Sequence, residues 1–186
     1  ISIDTTKSIV AQNAIEAGAD IINDVSGLSF DIDMPRIIAK LKVPVIIMHM
    51  KGNPKNMQVS PEYKDLINDI LIFFVKKIKM AINAGIDQNM IILDPGIGFG
   101  KTVQHNFQLL SKLNDFTELG LPIMIGPSRK SFIGVTLDLP VKDRIDGTSA
   151  TVSAGIMNGA RIVRVHDVKI MKRVVTIIDR IRTATA

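Results

Sequence analysis

Short runs of bulky apolar residues alternate with helix-period stretches along the whole chain. Ile1–Ile3, Ala19–Ile22, Val43–Met48, Met90–Leu93, Pro122–Ile125 and Arg161–Val165 each read as a short buried strand. Between them, helical patterns cover Lys7–Ala17, Met34–Leu41, a segment near Asn106–Asn114, Asp143–Asn158 and Val168–Ile181. Gly18 and Gly159 are placed to end two of these helices. One further helix carries Ile67, Ile70, Leu71, Phe74, Ile78, Ala81 and Ile82 as a single apolar stripe ending at Gly85. Its expected start is Ser60 as N-cap with Pro61 in the first turn, after a loop over Met50–Val59. Six strand-then-helix units with parallel-type strands predict an α/β fold, and no linker divides residues 1–186.

A chain of 186 residues supports one substantial core, not two comfortable domains. No stretch approaches the 18 to 20 apolar residues of a membrane span, and no secretion signal is visible. Cysteine is absent, which excludes disulfides and thiolate metal sites and fits a reducing, cytoplasmic setting. The net charge of +5 suits anionic substrates. Lys76, Lys77 and Lys79 read as a solvated helix face rather than a nucleic-acid surface, and 4% aromatics offer little for base stacking. The chain opens inside a strand-like run without an initiator methionine, which is expected of a segment whose beginning has been removed.

The chemistry centres on Ile91-Ile92-Leu93-Asp94-Pro95-Gly96-Ile97-Gly98-Phe99-Gly100-Lys101. Asp94 stands at a strand end, and three glycines in five residues let backbone approach a ligand closely. A carboxylate, an open glycine loop and a lysine suit a polar ring or a phosphate. Neither the dinucleotide fingerprint nor the P-loop fits, because the glycines fall at 96, 98 and 100 and position 95 is proline.

Every apolar run stops at polar side chains: Asp4, Asn23 with Asp24, His49, Asp94, Arg129 with Lys130, and Arg164 with His166. The gaps from Asp4 through Asn23, His49, Asp94 and Lys130 to His166 are 19, 26, 45, 36 and 36 residues. In a β/α barrel all strand C-termini converge on one rim, so residues far apart in sequence meet in one pocket. Arg164 and His166, two apart on a strand, point the same way and make an anion site with Ser128, Arg129 and Lys130 nearby. Duller roles compete: Asp4 and Asp24 as helix N-caps, Asn23 as a turn residue, His49 as a packing histidine. His105 has no assigned role, and the three histidines lack the close spacing of a zinc site.

Ile3-Asp4-Thr5, Ile22-Asn23-Asp24-Val25-Ser26-Gly27, Met48-His49-Met50, the Asp94–Lys101 stretch, Ser128-Arg129-Lys130-Ser131 and Arg164-Val165-His166-Asp167-Val168 occur in this order. Together they resemble the dihydropteroate synthase family of pterin-binding enzymes. The resemblance implies a (β/α)₈ TIM barrel, here incomplete with about six βα units. It also implies condensation of 6-hydroxymethyl-7,8-dihydropterin diphosphate with p-aminobenzoate, releasing pyrophosphate. By that resemblance, Asp4, Asn23, Met48, Asp94, Gly126 and Lys130 line the pterin slot, and Asp4, Asp94 and Lys130 carry the catalysis. Arg164 and His166 would hold the diphosphate, while Phe99, Ser128 and Lys130 would contact p-aminobenzoate.

The residue types suit that chemistry. A carboxylate at Asp94 accepts from adjacent ring N–H and amino groups, and Asn23 both donates and accepts. Asp4 and Asp94 would stabilise positive charge growing on the pterin methylene. The resemblance also implies Mg²⁺, bound mainly through the diphosphate and a family loop that precedes residue 1, with no metal ligand in this chain. The family's first two strands have no counterpart here, so the 186 residues alone are expected to be inactive or unstable. Small molecules are the expected partners, with neither nucleic acid nor membrane, and the small-residue and final helices could bury a homodimer face. Two alternatives remain: a non-catalytic pterin-binding domain, and a methyltetrahydrofolate–corrinoid methyltransferase on a similar barrel.

Overall fold

A computed structural model of the chain describes residues 1–52, 57 and 61–184. Six strands, β1 (Ser2–Asp4), β2 (Ile21–Asp24), β3 (Val45–Met48), β4 (Ile91–Asp94), β5 (Met124–Ile125) and β6 (Ile162–Val163), alternate with helices. The helices are α1 (Ser8–Glu16), α2 (Met34–Leu41), α3 (Leu66–Asn83), α4 (Val103–Ser111), α5 (Ser131–Leu137), α6 (Ile145–Met157) and α7 (Val168–Thr183).

All strand pairs are parallel, in the order β1-β2-β3-β4 and then β5-β6. A parallel bridge between Leu93 and Ile123 joins the two groups. The six strands among the described residues form an open, incomplete β/α barrel, so the expected fold class stands. Val45, Ile46, Ile47 and Met48 are all buried, because this central strand has side chains on one face and helices on the other. The main core gathers Val45 and Ile47 with Ile70 and Phe74 of α3 and Leu109 of α4. A smaller cluster of Val152, Ile156 and Met171 holds α6 against α7. No helix among the described residues is long and apolar enough to cross a membrane.

Several boundaries differ from the sequence reading. Helix α3 starts at Leu66, not Pro61, because the Asp65 side chain accepts from the Asn68 N–H at 3.2 Å and forms the cap. Ser60 itself lies outside the described residues, as does most of the expected Met50–Val59 loop. Ile82 is 42% exposed and falls outside the buried stripe. Helix α5, which the periodicity did not predict, begins directly after Lys130. His105 has a structural role: with Thr102 it forms a capping box at the start of α4. Lys77 is not merely solvated, since its ammonium donates to Ser29 Oγ at 2.7 Å.

Candidate functional site

The C-terminal ends of the strands bring the predicted residues to one mouth. The parallel register sets Asp4 beside Asn23 and Met48 beside Asp94. Asn23 Nδ2 donates to Asp4 Oδ1 at 2.9 Å, and Arg164 Nη2 donates to Asp4 Oδ2 at 2.6 Å. The last strand's loop therefore reaches the first strand across the open side of the barrel. Lys130 donates to the Ile97 carbonyl of the glycine loop, with its ammonium 4.4 Å from the centre of the Phe99 ring. Lys130, Lys101 and Arg164 all bear electrostatically on Asp94.

The glycine loop folds as it does for steric reasons. Gly96 adopts φ 71°, and a Cβ there would stand 1.9 Å from the His49 carbonyl oxygen. Gly98, at φ 81°, leaves the space that the Lys130 side chain occupies, since its Cβ would meet Lys130 Cδ at 2.7 Å. The Gly96 N–H in turn donates to Asp94 Oδ1 at 2.8 Å and orients the carboxylate.

Asp94 and Asn23 are 6% and 4% exposed. Burial pushes the Asp94 carboxyl upward, and Lys130, the Gly96 N–H, Lys101 and Arg164 oppose that. Burial likewise brings the Lys130 ammonium down to about 8, with Asp94 resisting and Arg164 adding to the fall. Asn23 Oδ1 is the one buried side-chain polar atom among the described residues without a hydrogen-bond partner. A buried acceptor left this way is costly unless a ligand donor meets it.

Gly126, Ser128, Lys130, Arg164, Val165 and His166 line a cavity of about 170 Å³. Ser128 Oγ lies 2.9 Å from His166 Nδ1 and accepts the His166 N–H at 3.2 Å, which fixes the histidine at the cavity wall. A larger cavity of about 590 Å³ lies at the opposite end of the sheet, beside Pro122, Gly159 and Arg161. Barrel chemistry belongs to the C-terminal strand ends, so the smaller, charged cavity is the relevant one.

Three sequence expectations are corrected here. Strand β6 ends at Val163, so Arg164 and His166 sit on the following loop and share the cavity without being strand neighbours. Arg129 does not join the anion site: it adopts φ 57° and its guanidinium turns to Asp167, with bonds of 2.9 and 2.7 Å. It thereby ties the loop after β5 to the loop after β6. Asp24 caps no helix; its carboxylate accepts from the N–H groups of Ser26 and Leu28 and holds their turn. His49 is 7% exposed and packs edge-on against Phe73 at 4.9 Å. Its partner is Lys101, 52 positions away; the sequence reading placed that lysine beside the glycine loop but not against His49. Among the described residues no group of three or more His, Asp or Glu side chains could hold a metal ion.

The model of the pterin binding enzyme family matches residues 1–166. The chain belongs to that family. A dihydropteroate synthase from Synechocystis sp. is 47% identical over 96% of this chain, which spans 62% of that relative's length. The crystal structure of Yersinia pestis dihydropteroate synthase with a sulfonamide drug complex superposes with a TM-score of 0.96 at 43% identity. That match covers 98% of this chain and 66% of the other. The Xanthomonas albilineans dihydropteroate synthase in complex with 7,8-dihydropteroate gives a TM-score of 0.90 at 37% identity, covering 97% and 66%.

Proposed function

We propose that residues 1–186 form a pterin-binding domain that supplies most of the substrate site of a dihydropteroate synthase. The observation that carries this reading is the set of polar groups at one mouth: the unmet Asn23 acceptor, the Asp94 carboxylate and the Lys130 ammonium, beside a cationic cavity. A pterin edge presents adjacent N–H and amino donors to such a carboxylate and a carbonyl to such a lysine. The Xanthomonas albilineans relative, with 7,8-dihydropteroate bound, supports that choice of ligand.

In this reading the pterin lies in the slot formed by Asp4, Asn23, Met48, Asp94, Gly126 and Lys130. Its diphosphate enters the cavity beside Arg164 and His166, and p-aminobenzoate approaches past Phe99, Ser128 and Lys130. As the C–O bond to the diphosphate lengthens, positive charge grows on the methylene carbon. The Asp4 and Asp94 carboxylates stabilise that charge, while Arg164 and His166 stabilise the departing pyrophosphate. The neutral arylamine then attacks the methylene carbon as pyrophosphate leaves with the C–O electron pair, and the acidic anilinium proton passes to solvent, so no strong base is required. Magnesium would enter with the diphosphate and neutralise part of its charge. The reaction belongs in the cytoplasm, and the exposed apolar residues of α7, Val168, Ile177 and Ile181, suit a homodimer interface.

The two alternatives are less well supported. A non-catalytic pterin-binding domain has no use for the cationic cavity of Arg164 and His166, and a corrinoid methyltransferase has no diphosphate to place there.

Calorimetric titration of the chain with pterin diphosphate, the same pterin without diphosphate, and methyltetrahydrofolate tests the reading. Pterin diphosphate should bind most tightly. Arg164→Gln should weaken it roughly tenfold or more, leave the alcohol form unchanged, and alter stability by only about 0–1 kcal/mol, since its ion pair with Asp4 is exposed. Turnover by the 186 residues alone should stay at background, because six of eight strand-end loops make up the rim. Preference for methyltetrahydrofolate would overturn the assignment.

A further inference from the structure

Lys101 is a buried cation for which the proposed reaction has no use. It closes the glycine loop and is only 3% exposed. Its Nζ lies 3.1 Å from His49 Nδ1 and donates to the Phe99 carbonyl at 3.0 Å. An ammonium this far from water needs an opposite charge, and neither of those partners is one. The His49 ring is neutral, because burial and the neighbouring Lys101 bring it down to about 3. Facing an ammonium, its Nδ1 is the acceptor, so the ring proton is on Nε2. The anion beside Lys101 is Asp94: the Lys101 ammonium lies 3.4 Å from where a Cβ on Gly96 would stand, and the Gly96 N–H donates to Asp94 Oδ1 at 2.8 Å.

Seen from Asp94, the cations differ in where they stand. Lys130 and Arg164 line the cavity at the mouth, where a diphosphate would draw on both. Lys101 does not line that cavity; one side chain and one carbonyl hold it almost wholly buried. We propose that Lys101 is a positioning residue for the pterin site, its trapped ammonium serving as the counter-charge that keeps Asp94 a carboxylate when the cations at the mouth turn toward an anionic ligand. The significance for pterin rests on the function proposed above; the charge coupling between Lys101 and Asp94 does not.

The ionisable groups facing this pair are His49 from the end of β3, Lys130 from the loop after β5 and Arg164 from the loop after β6. Lys51 bears on His49 and, with Lys101, on His105. Burial brings Lys101 down to about 7 while Asp94 holds it up. Its charge is therefore present below about pH 7 and is lost as the pH rises through that point. Removing that charge should move the acid limb of Asp94 upward.

Carboxyl ¹³C NMR titration of the ligand-free chain measures this directly, with Asp94→Asn identifying the resonance. In Lys101→Met the Asp94 midpoint should rise by about one pH unit or more, the effect of losing one nearby opposite charge. Below both midpoints the carboxylate fraction would then be about tenfold smaller. Lys101→Gln keeps a donor toward His49 without the charge, and should show the same rise. A brace that acted only by hydrogen bonding would leave the midpoint in place in that variant. Should neither variant fold, the reciprocal measurement decides: the Lys101 ¹⁵Nζ midpoint should fall in Asp94→Asn. An unmoved Asp94 midpoint in the Lys101 variants, or an unmoved Lys101 midpoint in Asp94→Asn, overturns the proposal. If the native chain fails to bind pterin diphosphate while these midpoints move, the functional reading fails and the coupling stands.

Discussion

Asp94→Asn should weaken binding of pterin diphosphate by about 100-fold. The substitution keeps the size of the side chain but replaces one acceptor oxygen with an amino group. That group would face the ligand's own donors, or the Gly96 N–H that now donates at 2.8 Å. Removing a paired, charge-assisted hydrogen bond from a buried site costs about 3 kcal/mol, which corresponds to that factor. The loss should be the same for the pterin without its diphosphate, in contrast to Arg164→Gln. Calorimetry on both ligands measures both effects. Equal affinity of the native and Asn forms would remove Asp94 from the site.

The second large effect concerns the backbone. Gly96→Ala should destabilise the chain by on the order of 3 kcal/mol, lowering Tm by about 6–12 °C. Two costs combine, a left-handed backbone at φ 71° and a Cβ placed 1.9 Å from the His49 carbonyl oxygen. Gly120 provides the control, because it shares φ 71° and has nothing within 4 Å of its would-be Cβ. Gly120→Ala should therefore cost only about 1–2 kcal/mol. The difference between the two melting curves isolates the close approach that lets the glycine loop lie over the end of β3. Similar losses at both positions would mean that the loop can shift to admit a side chain.

The ends of the strands were the most legible part of the sequence. A short apolar run followed by Asp4, Asn23 or Asp94 declares both a strand and the residue at its mouth, and the register bears out the neighbours. Directions after the strand end were less legible. Ser128, Arg129 and Lys130 read together as part of an anion site, yet the left-handed turn at Arg129 sends its side chain to Asp167. Nothing in three consecutive polar letters encodes that φ. Helix α5 escaped notice because seven residues span barely two turns, too few for a period to emerge. The start of α3 was misplaced because Ser60-Pro61 has the form of a helix start, while Asp65 makes the actual cap. The Lys101–His49 pairing joins residues 52 apart, and only the alignment of β3 with β4 brings them together.

The link from Arg164 to Asp4 spans 160 residues. A ribosome adding about 5–20 residues per second leaves Asp4 waiting roughly ten to thirty seconds for that partner. Until then the acidic and basic halves of the pocket belong to different stretches of an unfinished polypeptide. A nascent chain halted before Arg164 would lack both cationic side chains of the loop after β6 that line the cavity, so a ligand held there could hasten folding only once that loop has been made.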